Sequence, residues 1–137
     1  MKIYNEHITL QTEKPREFVD ITPQVRSAME KSGFVDGIIL VAVLHSNAAI
    51  IVNDSEPGLL EDVRTWLDGL APVRDDYKHP KKLESNASIH FQSLMLNQNA
   101  VVGFTEKRLE LGPWQYIQFV ELDGMRPKRV LVKVMGE

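Results

Sequence analysis

GIILVAVLHSNAAIIVND, residues 37–54, is the stretch whose reading decides the fold. Residues 38–44 are a continuous aliphatic run, short for a helix and rich in β-branched types, so they read as a strand buried on both faces. Residues 48–52 repeat the pattern and read as a second strand. Between them lie His45, Ser46 and Asn47. Polar residues where a buried strand ends sit on a short connection held by a rigid scaffold, and such connections carry much protein chemistry.

Working toward the N-terminus, Gly33 closes a helix expected over 23–32. Thr22 and Pro23 supply a cap and a proline at the first helical position, and Val25, Ala28, Met29 and Ser32 recur at helical spacing. Before it, residues 2–12 alternate imperfectly, with Ile8 and Leu10 opposite His7 and Thr9, the pattern of an edge strand. Toward the C-terminus, Asp54 and Ser55 precede Pro57, and Leu59, Leu60, Val63, Trp66, Leu67 and Leu70 predict a second helix over 57–69.

VRDDYKHPKKL, residues 73–83, is polar and unpatterned, a loop carrying Tyr77 and His79. Ser85 or Asn86 caps a third helix over 86–97, with Ala87, His90, Phe91, Leu94 and Met95 along one stripe. The last third reads as strands over 100–105, 108–111, 114–122 and 129–135, separated by turn signals at Gly112-Pro113 and Asp123-Gly124. Within 114–122, Gln115, Ile117, Phe119 and Glu121 share a face, and Trp114 is expected to be buried. With no internal repeat or linker, the whole chain reads as one α+β domain, residues 1–137.

Composition narrows the function classes. At 137 residues with 43% hydrophobic and 26% charged, the chain can bury a core without staples. A formal charge of −3 offers no broad attraction for nucleic acid or a membrane surface, so any phosphate recognition has to be local. Zero cysteines removes disulfides, thiolate metal sites and thiol nucleophiles. The first residues, MKIYNEHITLQT, lack the apolar core of a secretory signal, and no window approaches the roughly 18 apolar residues of a membrane span; the cytoplasm is the expected location.

Three of the four histidines, His45, His79 and His90, fall at element ends or on an inward helix face. Their intervals, 34 residues from 45 to 79 and 11 from 79 to 90, match no contiguous metal motif. Two readings stand open: three neutral imidazoles would suit zinc with a coordination position left open, or His90 is a satisfied core residue and His79 a solvated one. Asp54, Glu121 and Asp123 are the carboxylates nearest strand or turn ends. Glu121 shares its face with Ile117 and Phe119 and therefore needs a cationic partner, for which Arg126 and Arg129 are the candidates. With Lys128 they form the densest basic cluster, MRPKR, suited to a phosphate or carboxylate. Asn53 and Asn86 serve equally as caps or ligand contacts.

The order HSNAAIIVND, YKHP, ESNASIH and LELGPWQYIQFVELDGMRPKRVLVKVMGE resembles the YjbQ family, usually labelled secondary thiamine-phosphate synthase. The likeness runs nearly end to end and includes ITPQV and SGFVDG. It implies an α+β sandwich, mainly antiparallel with about three helices, whose subunits form a homotrimer. It also implies a divalent metal, Zn2+ or alternatively Mg2+, on His45, His79 and His90, with a small phosphorylated molecule as substrate. Glu121, Arg126 and Asp54 then fall on catalytic positions, and Asn53, Asn86, Gln115 and Arg129 on substrate-binding ones. Asn47, Asp54, Ser85, Ile89, Met125 and Pro127 depart from the family pattern. The implied reaction joins a pyrimidine methyl diphosphate to a thiazole phosphate. The alternatives are a metal-dependent hydrolase of a small phosphorylated compound and a non-catalytic trimeric ligand-binding protein.

Overall fold

The structure, a computed structural model, describes residues 1–80, 87–124 and 126–137. Eleven elements follow in order: β1 Lys2–Leu10, β2 Glu17–Asp20, α1 Thr22–Ser32, β3 Gly37–Val43, β4 Ala48–Asn53, α2 Pro57–Leu70, α3 Ala87–Leu96, β5 Asn99–Thr105, β6 Arg108–Leu109, β7 Tyr116–Glu121 and β8 Lys128–Gly136. They build two sheets, a five-stranded one in the order β1-β8-β3-β5-β6 and a three-stranded one in the order β2-β7-β4. Every strand pairing is antiparallel, as an α+β sandwich requires. β1 is an edge strand, as its imperfect alternation predicts.

One core ties the layers together. Ile39, Val41 and Val43 of β3, Val102 and Phe104 of β5, and Val130, Val132 and Val134 of β8 form the inner face of the large sheet. Against it pack Val25, Ala28 and Met29 of α1 and Ile50, Ile117 and Phe119 of the small sheet. The far face of the small sheet presents Ala49, Val120 and Leu122, covered by Ile89 and Leu96 of α3. α2 reaches the same face, with Arg64 stacked 5.0 Å above the Phe18 ring of β2, and Gln92 of α3 donates to the Ala71 carbonyl at the end of α2.

Several expectations need correction. β3 is buried on one face only: Ile39, Val41 and Val43 are enclosed, whereas Ile38 and Leu44 are 45% and 48% exposed. An unbroken aliphatic run fixes the strand but not what covers its second face, and here nothing among the described residues does. β4 does match, with Ala48, Ala49 and Ile50 all buried. Trp114 lies ahead of β7 and is 70% exposed, because that strand begins only at Tyr116. β2 is a strand the pattern did not reveal; four residues are too few for a period of two to register.

Caps also differ. Thr22 is the first residue of α1 rather than its cap, and its hydroxyl accepts from the Ile117 N–H at 2.9 Å, tying α1 to β7. The N-cap of α2 is Glu56, whose carboxylate accepts from the Gly58 and Leu59 N–H groups. Gly33 ends α1 in the left-handed conformation, φ 75°, that its residue type allows. The Ser85 or Asn86 cap of α3 lies outside the described residues. Among the described residues no helix is long and apolar enough to cross a membrane.

Candidate functional site

The connection between β3 and β4 is gripped from four directions. The His45 ring accepts at Nε2 from the Arg129 backbone N–H at 3.0 Å, at the start of β8. The His45 carbonyl accepts from Gln98 Nε2 at 3.0 Å. His90 of α3 meets the Ser46 carbonyl through Nδ1 at 3.0 Å, and Ser93 one turn on donates to the Ala48 carbonyl at 2.7 Å. Asn47 is buried and donates to Asp123 at 2.6 Å. Residues far apart in sequence thus converge on three loop positions.

Beneath the loop lies a buried ionic cluster. Glu121, at the end of β7, is fully enclosed and receives Thr12 Oγ1 at 2.6 Å on one oxygen and Lys128 Nζ at 2.5 Å on the other. Lys128, equally enclosed, also donates to Asp123 at 2.5 Å. The partner of Glu121 is therefore Lys128, and not Arg126 or Arg129. Strand parity explains the substitution: Lys128 shares the inward face of β8 with Val130, Val132 and Val134, while Arg129 shares the outward one. Two buried carboxylates and one ammonium hold together only because hydroxyl, amide and backbone donors complete the set.

These cations act on His45. Its pKa is held below the usual imidazole value by burial first, then by Lys128 and Arg129, with Arg126 adding a smaller push; Glu121 opposes them. A neutral ring suits the acceptor role of Nε2, and in that tautomer Nδ1 carries the proton. Arg126 itself lies half-buried in the β7–β8 turn.

The loop before α3 folds back onto the helix through two ring pairs. Tyr77 meets Phe91 edge-on at 5.1 Å, and His79 meets His90 at 4.9 Å with the planes 71° apart. Asp76, Tyr77, Lys78, His79, Ala87, His90 and Phe91 line a cleft of about 570 Å³, the size that takes a small organic ligand. A carbonyl only accepts, so His90 Nδ1 carries the proton, and in the neutral ring the lone pair is then on Nε2. That is the arrangement of a metal-binding histidine whose other nitrogen is fixed by a backbone carbonyl.

The fit to a metal is consequently uneven. Two imidazoles on one zinc, bound at about 2.0–2.1 Å, place their ring centres about 5 Å apart, and the His79–His90 spacing agrees. His45 does not join them as placed, since its unprotonated nitrogen faces the Arg129 N–H. Among the described residues no three His, Asp or Glu side chains are grouped to hold an ion.

Asn53, Asp54 and Gln115 lie elsewhere. In the β4–β7 ladder Ala48 pairs with Glu121 and Asn53 with Tyr116, which puts them about 17 Å down the strand from the histidine end. Their side chains serve local turns: Asn53 accepts from the Asp54 N–H, Asp54 from Ser55 and Glu56, and Gln115 from Gly112. Within one chain the structure does not bring them to the histidines. Asn86 falls outside the described residues. Sequence reasoning missed Thr12 and placed Lys128 only in the basic cluster, not as the partner of Glu121; only the two-residue period of β8 signals that role.

Comparison with known proteins bears on the fold and the family. The family model described as UPF0047 protein YjbQ-like matches residues 6–137. A UPF0047 protein of Archaeoglobus fulgidus is 41% identical over 128 residues, 93% of this chain and 98% of the relative. One from Methanothermobacter thermautotrophicus is 36% identical over 137 residues, all of this chain and 95% of the relative. Among solved structures, a YbjQ-like protein of unknown function from Sulfolobus solfataricus superposes with a TM-score of 0.93 at 39% identity, covering 99% of both chains. A Clostridium acetobutylicum protein of the yjbq/upf0047 family gives 0.88 at 33% identity, covering 95% of this chain and 99% of that one.

Proposed function

This chain belongs to the YjbQ-like UPF0047 family, and from that premise we propose that it is a cytoplasmic, metal-dependent enzyme acting on a small phosphorylated compound. The reaction proposed is that of a secondary thiamine-phosphate synthase, joining a pyrimidine methyl diphosphate to a thiazole phosphate with release of diphosphate. One observation carries the reading. His45 and Ser46, adjacent in the chain, touch the start of β8 on one side and His90 on the other, so the aromatic cleft and the basic turn flank a single loop.

Each part has a physical task. Tyr77 and Phe91 offer ring faces and edges to a planar heterocycle. His79 and His90 would hold the divalent metal, zinc or magnesium, which when bound supplies charge neutralisation for a phosphate oxygen. Arg126 and Arg129 add cationic donors where negative charge gathers on a departing diphosphate. Glu121 and Asp123 act from behind: through Lys128 they fix the first residues of β8, and hence the N–H that orients His45.

The partner proposed is two further copies of the chain, in a homotrimer. The uncovered face of the large sheet supports it, since Ile3, Ile38, Leu44 and Val101 are 56%, 45%, 48% and 62% exposed on it. Mass measurement in solution should return three times 15.6 kDa. For the activity, purified protein with both substrates and zinc or magnesium should form thiamine phosphate. A rate no higher than that of His90→Ala would remove the assignment.

A further inference from the structure

We propose that His7 and Arg129 form a subsite for a dianionic phosphate on the outer face of the large sheet, against the His45 loop and toward the opposite end of β8 from Ile3 and Ile38. The placement follows from register. Thr9 pairs with Arg129 and His7 with Leu131, and alternate residues of each strand share a face, so His7 and Arg129 are diagonal neighbours on the outward side. Long side chains reach across such diagonals, and Arg129 Nη2 lies 3.5 Å from His7 Nδ1.

That separation juxtaposes two nitrogen groups without a strong bond between them. Arg129 has no carboxylate partner among the described residues, and both side chains are exposed. A guanidinium fork with uncommitted N–H groups beside an imidazole offers several convergent donors, the geometry a phosphate takes. The backbone of the same arginine is fixed by His45, so the guanidinium projects from an anchored position. The basic surroundings that depress the His45 pKa favour an anion at this end of the sheet as well.

Nearby acidic groups do not compete. Glu121 and Asp123 are turned inward onto Lys128. Glu6, the neighbour of His7 on β1, points to the other face and is paired with Lys31 at 3.0 Å.

The subsite shares Arg129 with the function proposed above but draws on β1 and needs neither metal nor cleft, so the two fail separately. Inorganic phosphate titrated into the metal-free protein, followed by calorimetry and by the His7 ring resonances, should bind saturably and perturb His7. Arg129→Met should weaken it about tenfold or more, Arg129→Lys less because it keeps charge but loses the fork, and His7→Gln about threefold. His90→Ala should leave it unchanged. No saturable binding by the wild type would overturn the subsite, as would undiminished affinity in a folded Arg129→Met variant. A loss in His90→Ala equal to that in Arg129→Met would move the phosphate to the cleft and overturn it too.

Discussion

The two ends of the β4–β7 ladder carry the same kinds of residue and use them in opposite ways. At the Asn53 end, Asn53, Asp54 and Gln115 bond to backbone one to three residues away. At the Glu121 end, Thr12 reaches Glu121 across 109 residues and Asn47 reaches Asp123 across 76. A polar side chain satisfied by its own turn stabilises that turn and needs nothing else. A buried carboxylate with no local partner has to draw other elements to it, and the loop gripped in the process is the one bearing His45. What separates candidate site residues from turn residues is thus the sequence distance to the partner, not the residue type.

The sharpest way to break the contrast is to remove the ammonium at the Glu121 end. Lys128→Met leaves two carboxylates buried without their cation and should destabilise by about 3–5 kcal/mol, lowering the melting temperature by roughly 10 °C or more. A loss below about 1 kcal/mol in a calorimetric scan would mean the cluster is not the anchor described. Thr12→Val deletes one donor to buried Glu121 and should cost about 1–3 kcal/mol in denaturant unfolding. At the other end, Asn53→Ala, Asp54→Ala and Gln115→Ala should each stay under about 1 kcal/mol, since the freed groups are near solvent. If any of the three matched Thr12→Val, the distinction between local and long-range partners would fail.

The smallest effect concerns pH. Burial and the Lys128 and Arg129 charges hold His45 below the unfolded value of about 6.5, so between the two values the unfolded chain binds more protons. Its contribution to stability is therefore complete above about pH 6.5 and is lost as pH falls through the folded value. Ring resonances of His45 should accordingly titrate below those of a free imidazole. Titration at or above the free value would contradict the acceptor role of Nε2.

Much of the fold was legible because periodicity is local. The three helices and most strands lie within a few residues of where apolar spacing and the Gly33 and Gly112-Pro113 signals put them. Trp114 and β3 show where that logic stops. Whether the second face of a strand is covered depends on elements elsewhere, and an aliphatic run such as residues 38–44 is the same string either way. In the candidate site, the convergence of His79 with His90 and the need of Glu121 for a cation could both be anticipated. The identity of that cation could not be read from a cluster, MRPKR, in which adjacent residues point to opposite faces. Nor could the hydrogen bond that commits the His45 ring, because its donor is a backbone group 84 residues away.

In the function proposed above, the His79–His90 pair holds the metal while the His45 ring stays committed to the Arg129 N–H. Zinc titrated into tag-free protein, compared across His45→Ala, His79→Ala and His90→Ala, tests it most directly. Binding should be saturable in the wild type, retained within about threefold in His45→Ala and lost in the other two, as removal of a direct ligand requires. A wild type that binds no zinc, or a His45→Ala variant that loses it as completely as His90→Ala, would rule out the His79–His90 pair as the metal site.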